Sequence, residues 1–143
     1  MNQKKIKITV QGTQHDISEE SIENTYEANY AMLSDKHIIK YNEYTEEDNA
    51  QQTATRNLLK ISKDAVHITK KGAINTQMHF EQGKKHYGVY QTPFGNFDMM
   101  IETKQLSIQE DADSLSVCIT YFLSLNNCPV SKCTIQMNAD GIR

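Results

Sequence analysis

Two charged side chains stand out by their position in the chain. Glu43 ends the alternating set Ile39, Tyr41, Glu43, and Lys70 ends the set Val66, Ile68, Lys70. Successive side chains of an extended strand point to opposite faces, so each charge shares a face with two apolar or aromatic residues. A charge on a buried face needs a partner. The functional reading is a polar anchor for the head group of a small ligand, assisted by Tyr41 and Tyr121. Tyr41, Glu43, Lys70 and Tyr121 are thus the candidate ligand-binding residues. The plainer reading is an internal ion pair, or two side chains reaching solvent at a rim, and it ranks first.

The histidines form a second constellation. His67 and His79 flank the Lys71-Gly72 turn. If Val66 pairs with Phe80 and Ile68 with Met78, His67 faces His79 on the outer surface. His86 then lies beside His79 across the next hairpin. Three imidazoles in a row are zinc-type ligands, but one slip of register separates them. Surface histidines without a metal are the commoner case, so no metal or other cofactor is assigned. His15 and His37 have no partner in view.

Other chemistry is thinly represented. The three cysteines, Cys118, Cys128 and Cys133, are odd in number and lack metal-ligand spacing, so they read as ordinary thiols. The glycines are scattered and make no phosphate-cradling loop. No serine or cysteine nucleophile can be argued to have a base within reach. An enzyme is therefore the least favoured class. The Pro93-Phe94-Gly95-Asn96 loop reads as a tight hairpin, with Phe94 as an aromatic plug over a barrel end.

The elements that must hold these residues are strands. Ile6, Ile8 and Val10 alternate with polar residues, as do Tyr26, Ala28, Tyr30 and Met32. Leu59 and Ile61 continue from Thr55 and Asn57. Phe97, Met99, Ile101 and Thr103 form another run, and Leu115 through Leu123 the longest. Cys133, Ile135 and Met137 form the last. Turn signals separate them at Ser34-Asp35-Lys36, Lys63-Asp64, Lys71-Gly72, Gln82-Gly83, Pro93-Phe94-Gly95, Asp111-Ala112-Asp113 and Asn126-Asn127. Residues 45–52 read as one longer polar loop, and residues 18–26 hold at most a turn of helix. Six of the seven tyrosines (26, 30, 41, 87, 90 and 121) fall in strands, where core packing is the first reading.

This pattern predicts eight to ten strands joined by short loops, hence antiparallel neighbours. The expected fold is all-β, an antiparallel up-and-down β-barrel. Two prolines and six glycines leave few strand breakers, which favours a meander. A barrel removes the sheet edges that invite aggregation.

The 143 residues suit a single domain spanning 1–143. A net charge of −3 gives no general attraction to a polyanion, so nucleic acid is a poor partner. Neither a signal peptide nor a membrane-length apolar run is read, so the expectation is a cytoplasmic protein without a membrane partner.

The order of motifs resembles the YwiB-like family of uncharacterised bacterial proteins. The resemblance is carried by ITVQGTQ (8–14), IIKYNEY (38–44), VHITKKG (66–72), MHFEQGKKHYGVYQTPFGNFDMMIET (78–103) and SVCITYFLSLNNCPVSKCTIQM (116–137). YQTPFGNFDMMIET (90–103) is the most specific of these. The resemblance implies a calycin-like barrel and no particular activity. Where that family often has arginine, two residues before the turn glycine, this chain has Lys70, a point charge and not a planar fork.

Two functions compete. A small-molecule binding barrel requires a cavity of several hundred cubic ångströms with a few convergent polar groups. An interaction or scaffolding module, acting through its surface or as a homodimer, requires a filled interior and an exposed apolar patch.

Overall fold

A computed structural model describes residues 4–15, 22–46 and 52–142. Ten strands account for nearly all of them. These are β1 (Lys4–Gln14), β2 (Ile22–Leu33), β3 (Lys36–Glu46), β4 (Gln52–Ile61), β5 (Ala65–Lys71), β6 (Asn75–Glu81), β7 (Lys85–Thr92), β8 (Gly95–Glu110), β9 (Ser114–Leu125) and β10 (Cys128–Asp140). Each pairs antiparallel with its neighbours in the chain, and β1 closes on β10. The fold is a closed up-and-down barrel. Among the described residues no helix is long and apolar enough to cross a membrane.

Turn chemistry sets the registers. Ser34 and Asp35 both take positive φ, as do Asn126 and Asn127. Each pair makes a two-residue hairpin whose twist matches that of the flanking strands. At the β5–β6 turn, Gly72 has φ +153°, and a Cβ there would lie 2.3 Å from the Ala54 carbonyl oxygen. Only glycine lets this turn lie against β4. Asn75 locks it, its side chain bonding both the N–H and the carbonyl of Gly72.

The interior is built in rows running across the strands. One row is His37, Ile61, Val66 and Phe80; the next is Ile39, Leu59, Ile68 and Met78; a third is Tyr41, Asn57, Lys70, Thr76 and Tyr90. The first two rows are almost wholly apolar and sealed. The third is polar. The packed core therefore fills one end of the barrel, with Ile39, Leu59, Val66, Phe80, Ile101 and Ile119 essentially inaccessible. Burying each such side chain stabilises the fold by about 2 kcal/mol.

Several expectations need correction. Residues 45–52 do not form one loop: Thr45 and Glu46 end β3 and Gln52 begins β4, while 47–51 lie outside the described residues. Residues 22–26 are strand and 18–21 lie outside the description. Phe94 is no plug: it is 96% exposed, because a two-residue hairpin tip projects beyond the barrel end. Tyr87 is not core but 78% exposed, since it takes the outer parity of β7. Met32 has inner parity but sits at the rim, half-exposed.

Two departures from a regular ladder matter later. A bulge between Thr103 and Gln105 switches the inner parity of β8, so that Leu106 and Ile108 pack against the core where odd positions did before. The β6–β7 ladder holds only two pairs, Asn75↔Gln91 and Thr76↔Tyr90. Beyond them β7 stays with β8 as far as Lys85↔Glu102 and leaves β6.

Candidate functional site

At the end of the barrel opposite the packed core lies a cavity of about 440 Å³. Val10, Ile68, Met78 and Met137 form apolar walls, with Tyr121 and Cys133 deeper. Tyr26, Tyr41, Glu43 and Lys70 supply the polar side, and Ile22, Gln14 and Asn24 stand at the rim. All four candidate residues, Tyr41, Glu43, Lys70 and Tyr121, thus line one space. The rows explain it: β3, β4 and β5 carry polar residues at the same level, so the apolar packing stops there.

The charges are paired. Lys70 Nζ donates to Glu43 Oε1 at 2.9 Å, and Asn57 Nδ2 donates to the same oxygen at 2.9 Å. Asn57 is buried, and its Oδ1 has no hydrogen-bond partner among the described residues. The Tyr26 ring stacks on Tyr41 with centroids 4.8 Å apart. Phe80 meets Tyr121 edge to face at 5.0 Å.

Burial holds the Tyr41 hydroxyl far above the ordinary phenol range, with the nearby Glu43 carboxylate and Tyr26 adding to it. Tyr26 is raised by the same two causes, burial first and then Glu43. Tyr121 is also pushed strongly upward, by burial first and then by the Cys133 thiol beside it. These phenols stay neutral hydrogen-bonding groups and are not candidates for proton abstraction.

Asn57 and Tyr26 were missed as site residues. Asn57 carried a signal: it has the parity of Leu59 and Ile61 but is polar, so it belongs to the inner face. Tyr26 shows nothing in sequence that separates it from a core tyrosine.

His37 and His15 do have partners. At the packed end, His37 Nδ1 bonds the Tyr30 hydroxyl and Nε2 bonds Glu110 Oε1, both at 2.7 Å. His15 Nε2 bonds Thr134 Oγ1 at 2.7 Å. Neither contact was readable from sequence, since the partners lie 73 and 119 residues away in the Glu110 and Thr134 cases. Cys118, Cys128 and Cys133 are all free thiols.

His67 does pair with His79, as the register Val66↔Phe80 and Ile68↔Met78 requires. Their Nδ1 atoms are 3.3 Å apart. His86 also reaches His79, with ring centroids 4.4 Å apart, but not through a hairpin ladder. It shares the inner parity of Ile101, whereas His79 has the outer parity of β6. The rings meet beside the turn that joins the two strands, beyond the end of the β6–β7 ladder. Desolvation, then the neighbouring His79, lowers the pKa of both His67 and His86.

The model for a domain of unknown function, DUF1934, matches residues 6–137. No curated protein matches. Among solved structures, the crystal structure of the YwiB protein from Bacillus subtilis superposes with a TM-score of 0.78, covering 97% of this chain and 92% of that one at 19% identity. At that identity the likeness speaks for the fold alone, a closed barrel with the same course. The matched segment runs from the first buried residue of β1 to the last third of β10, and on that span the chain belongs to the DUF1934 family.

Proposed function

We propose that the protein binds a small amphipathic molecule in the open end of its barrel. The observation that carries this reading is the 440 Å³ cavity with apolar walls on one side and Glu43, Lys70 and Tyr41 on the other. Small-molecule pockets fall in the range of about 300–1,000 Å³, with few, convergent polar groups. The Glu43–Lys70 pair is neutral as a unit, so it favours a head group that both donates and accepts over a simple ion. Both described contacts to Glu43 fall on Oε1, which leaves Oε2 as the acceptor a ligand meets. The Lys70 ammonium has two further protons to donate. The apolar body of the ligand lies against Ile68, Met78 and Met137.

The rival reading, a module with a filled interior acting through its surface or as a homodimer, is weakened by the same cavity. The exposed apolar side chains that would serve it, such as Phe94, Tyr87 and Ile22, are set on different strands and tips.

The test is displacement of a fluorescent amphipathic probe, anilinonaphthalene sulfonate, from the full chain. Ile68→Trp fills the cavity and is expected to weaken probe binding at least tenfold while the circular dichroism of the barrel is kept. Equal probe binding by the filled variant removes this function.

A further inference from the structure

A cluster of side chains on the outside of the barrel has no part in the cavity. His79 and Glu81 stand on β6, two residues apart and so on one face, and His86 stands on β7. His79 Nε2 lies 2.8 Å from Glu81 Oε1, and His86 Nε2 lies 3.8 Å from the same oxygen. The potential ligand atoms of all three residues fall within 4.8 Å of one another. His86 Nε2 is sealed from solvent and has no hydrogen-bond partner among the described residues. A buried ring nitrogen without a partner is costly unless something binds it.

We propose that His79, Glu81 and His86 form a binding site for one divalent cation of the zinc class, which clips β7 to β6 where their backbone ladder is missing.

The donor set fits. Two imidazoles and one carboxylate are zinc-type ligands, and three protein ligands leave a fourth position for water. Zinc–nitrogen and zinc–oxygen bonds of about 2.0–2.2 Å in a tetrahedron put ligand atoms roughly 3.3 Å apart. The two nitrogen–oxygen separations of 2.8 and 3.8 Å straddle that value, and with all three ligand atoms within 4.8 Å of one another the side chains must draw together to close on the ion. His79 and Glu81 stand two residues apart on β6, and the short turn after Glu81 brings His86 alongside them.

The surroundings also suit a metal. A metal-bound imidazole usually donates its other N–H to an acceptor that fixes the ring. With a cation on His79 Nε2 the proton resides on Nδ1, and His67 Nδ1 at 3.3 Å is its acceptor. His67 is thus an orienting residue and not a ligand. One feature opposes the ion: Lys84 Nζ lies 3.0 Å from Glu81 Oε2. Lys84 is largely exposed and holds the other oxygen, so it steers Oε1 toward the histidines and can swing into solvent when the cation arrives.

The ligands bridge a gap in the sheet. Among the described residues the β6–β7 ladder holds only Asn75↔Gln91 and Thr76↔Tyr90, with the Thr76 hydroxyl donating to the Val89 carbonyl beside them and the Lys84 N–H to the Glu81 carbonyl at the turn. The site lies beside the turn at the other end of both strands, where the ladder partner of β7 is β8. A cation there would tie His86 on β7 to two ligands on β6, beyond the end of that ladder.

The experiment uses the full chain stripped with a chelator and kept reduced, titrated calorimetrically with Zn²⁺, and with Co²⁺ as a spectroscopic substitute. One equivalent of Zn²⁺ is expected, and Co²⁺ should give the intense visible absorption of four-coordinate cobalt. His86→Gln and Glu81→Gln should each weaken Zn²⁺ at least tenfold. His67→Gln should weaken it by about tenfold with the stoichiometry kept. Cys128→Ser, at the exposed thiol, should change nothing. Zn²⁺ should slow amide exchange in residues 85–89 of the native chain and leave His86→Gln unaffected. The proposal is overturned by undiminished binding in His86→Gln, by loss of binding in Cys128→Ser, by the absence of saturable one-to-one binding, or by unchanged exchange in 85–89 when the ion is bound.

Discussion

The two ends of this barrel use polar residues in opposite ways. At the packed end a buried histidine sits among isoleucine, valine and phenylalanine, yet both its nitrogens are engaged, by Tyr30 and by Glu110. The polar groups there complete one another, with His37 buried and Glu110 reaching it from the solvent side. At the open end Glu43, Lys70 and Asn57 share one carboxylate oxygen, and Asn57 Oδ1 remains without a partner. Those groups do not complete one another, and the space beside them is a cavity. The lesson is that a polar residue on an inner face does not by itself mark a site. A polar set with capacity left over, next to unfilled volume, does.

This contrast can be broken most forcefully in the apolar rows. Phe80→Ala at the packed end should cost about 4 kcal/mol, because its surroundings have no slack and a new cavity opens. Met78→Ala, one row up, enlarges a space that already exists and should cost about half as much. Urea unfolding of the two variants measures the difference, and equal losses would mean that the two ends are packed alike.

A smaller effect separates the polar groups themselves. His37→Leu strands the buried Tyr30 hydroxyl and should cost about 2 kcal/mol. Asn57→Leu, of similar volume, removes an unpaired acceptor together with two donated bonds, to Glu43 and to the Thr55 carbonyl, and should fall within about 1 kcal/mol of the wild type. The same unfolding experiment decides. A larger loss from Asn57→Leu than from His37→Leu would show that the open end is the more tightly satisfied of the two.

The smallest expected change in stability comes from the ion pair. Glu43→Gln keeps the shape and removes the charge of a half-exposed pair, so its cost should be under about 1 kcal/mol. Binding should respond far more, with probe affinity shifted several-fold, since Lys70 is then uncompensated beside the ligand. Thermal unfolding and probe titration on one sample would separate the two. A large fall in midpoint with unchanged binding would make the pair structural.

Much of this was legible in the chain. Period-two alternation, with Asn, Asp and Gly at strand-length intervals, specifies antiparallel strands and their turns, because a strand has only two faces and a tight hairpin allows only a few residue types. The inward positions of Glu43 and Lys70 follow from parity alone. So does the meeting of His67 with His79, since one short turn carries the register across. Where the reading failed, the cause was position along a strand or a break in the ladder. Phe94, Tyr87 and Met32 have strand-like neighbours, but a hairpin tip, an outer face and a rim leave them exposed.

The sequence by itself determined that this is an all-β meander and which residues face inward, because those properties depend on neighbours one or two positions away. Tertiary structure alone decided how far up the barrel the core extends, that Asn57 joins Glu43 and Lys70, that His37 finds Glu110, and that His86 crosses over to His79. Those outcomes depend on closure of the barrel and on the level at which distant strands are stacked. A bulge in β8 and an opening between β6 and β7 alter that level without leaving any mark in the local alternation.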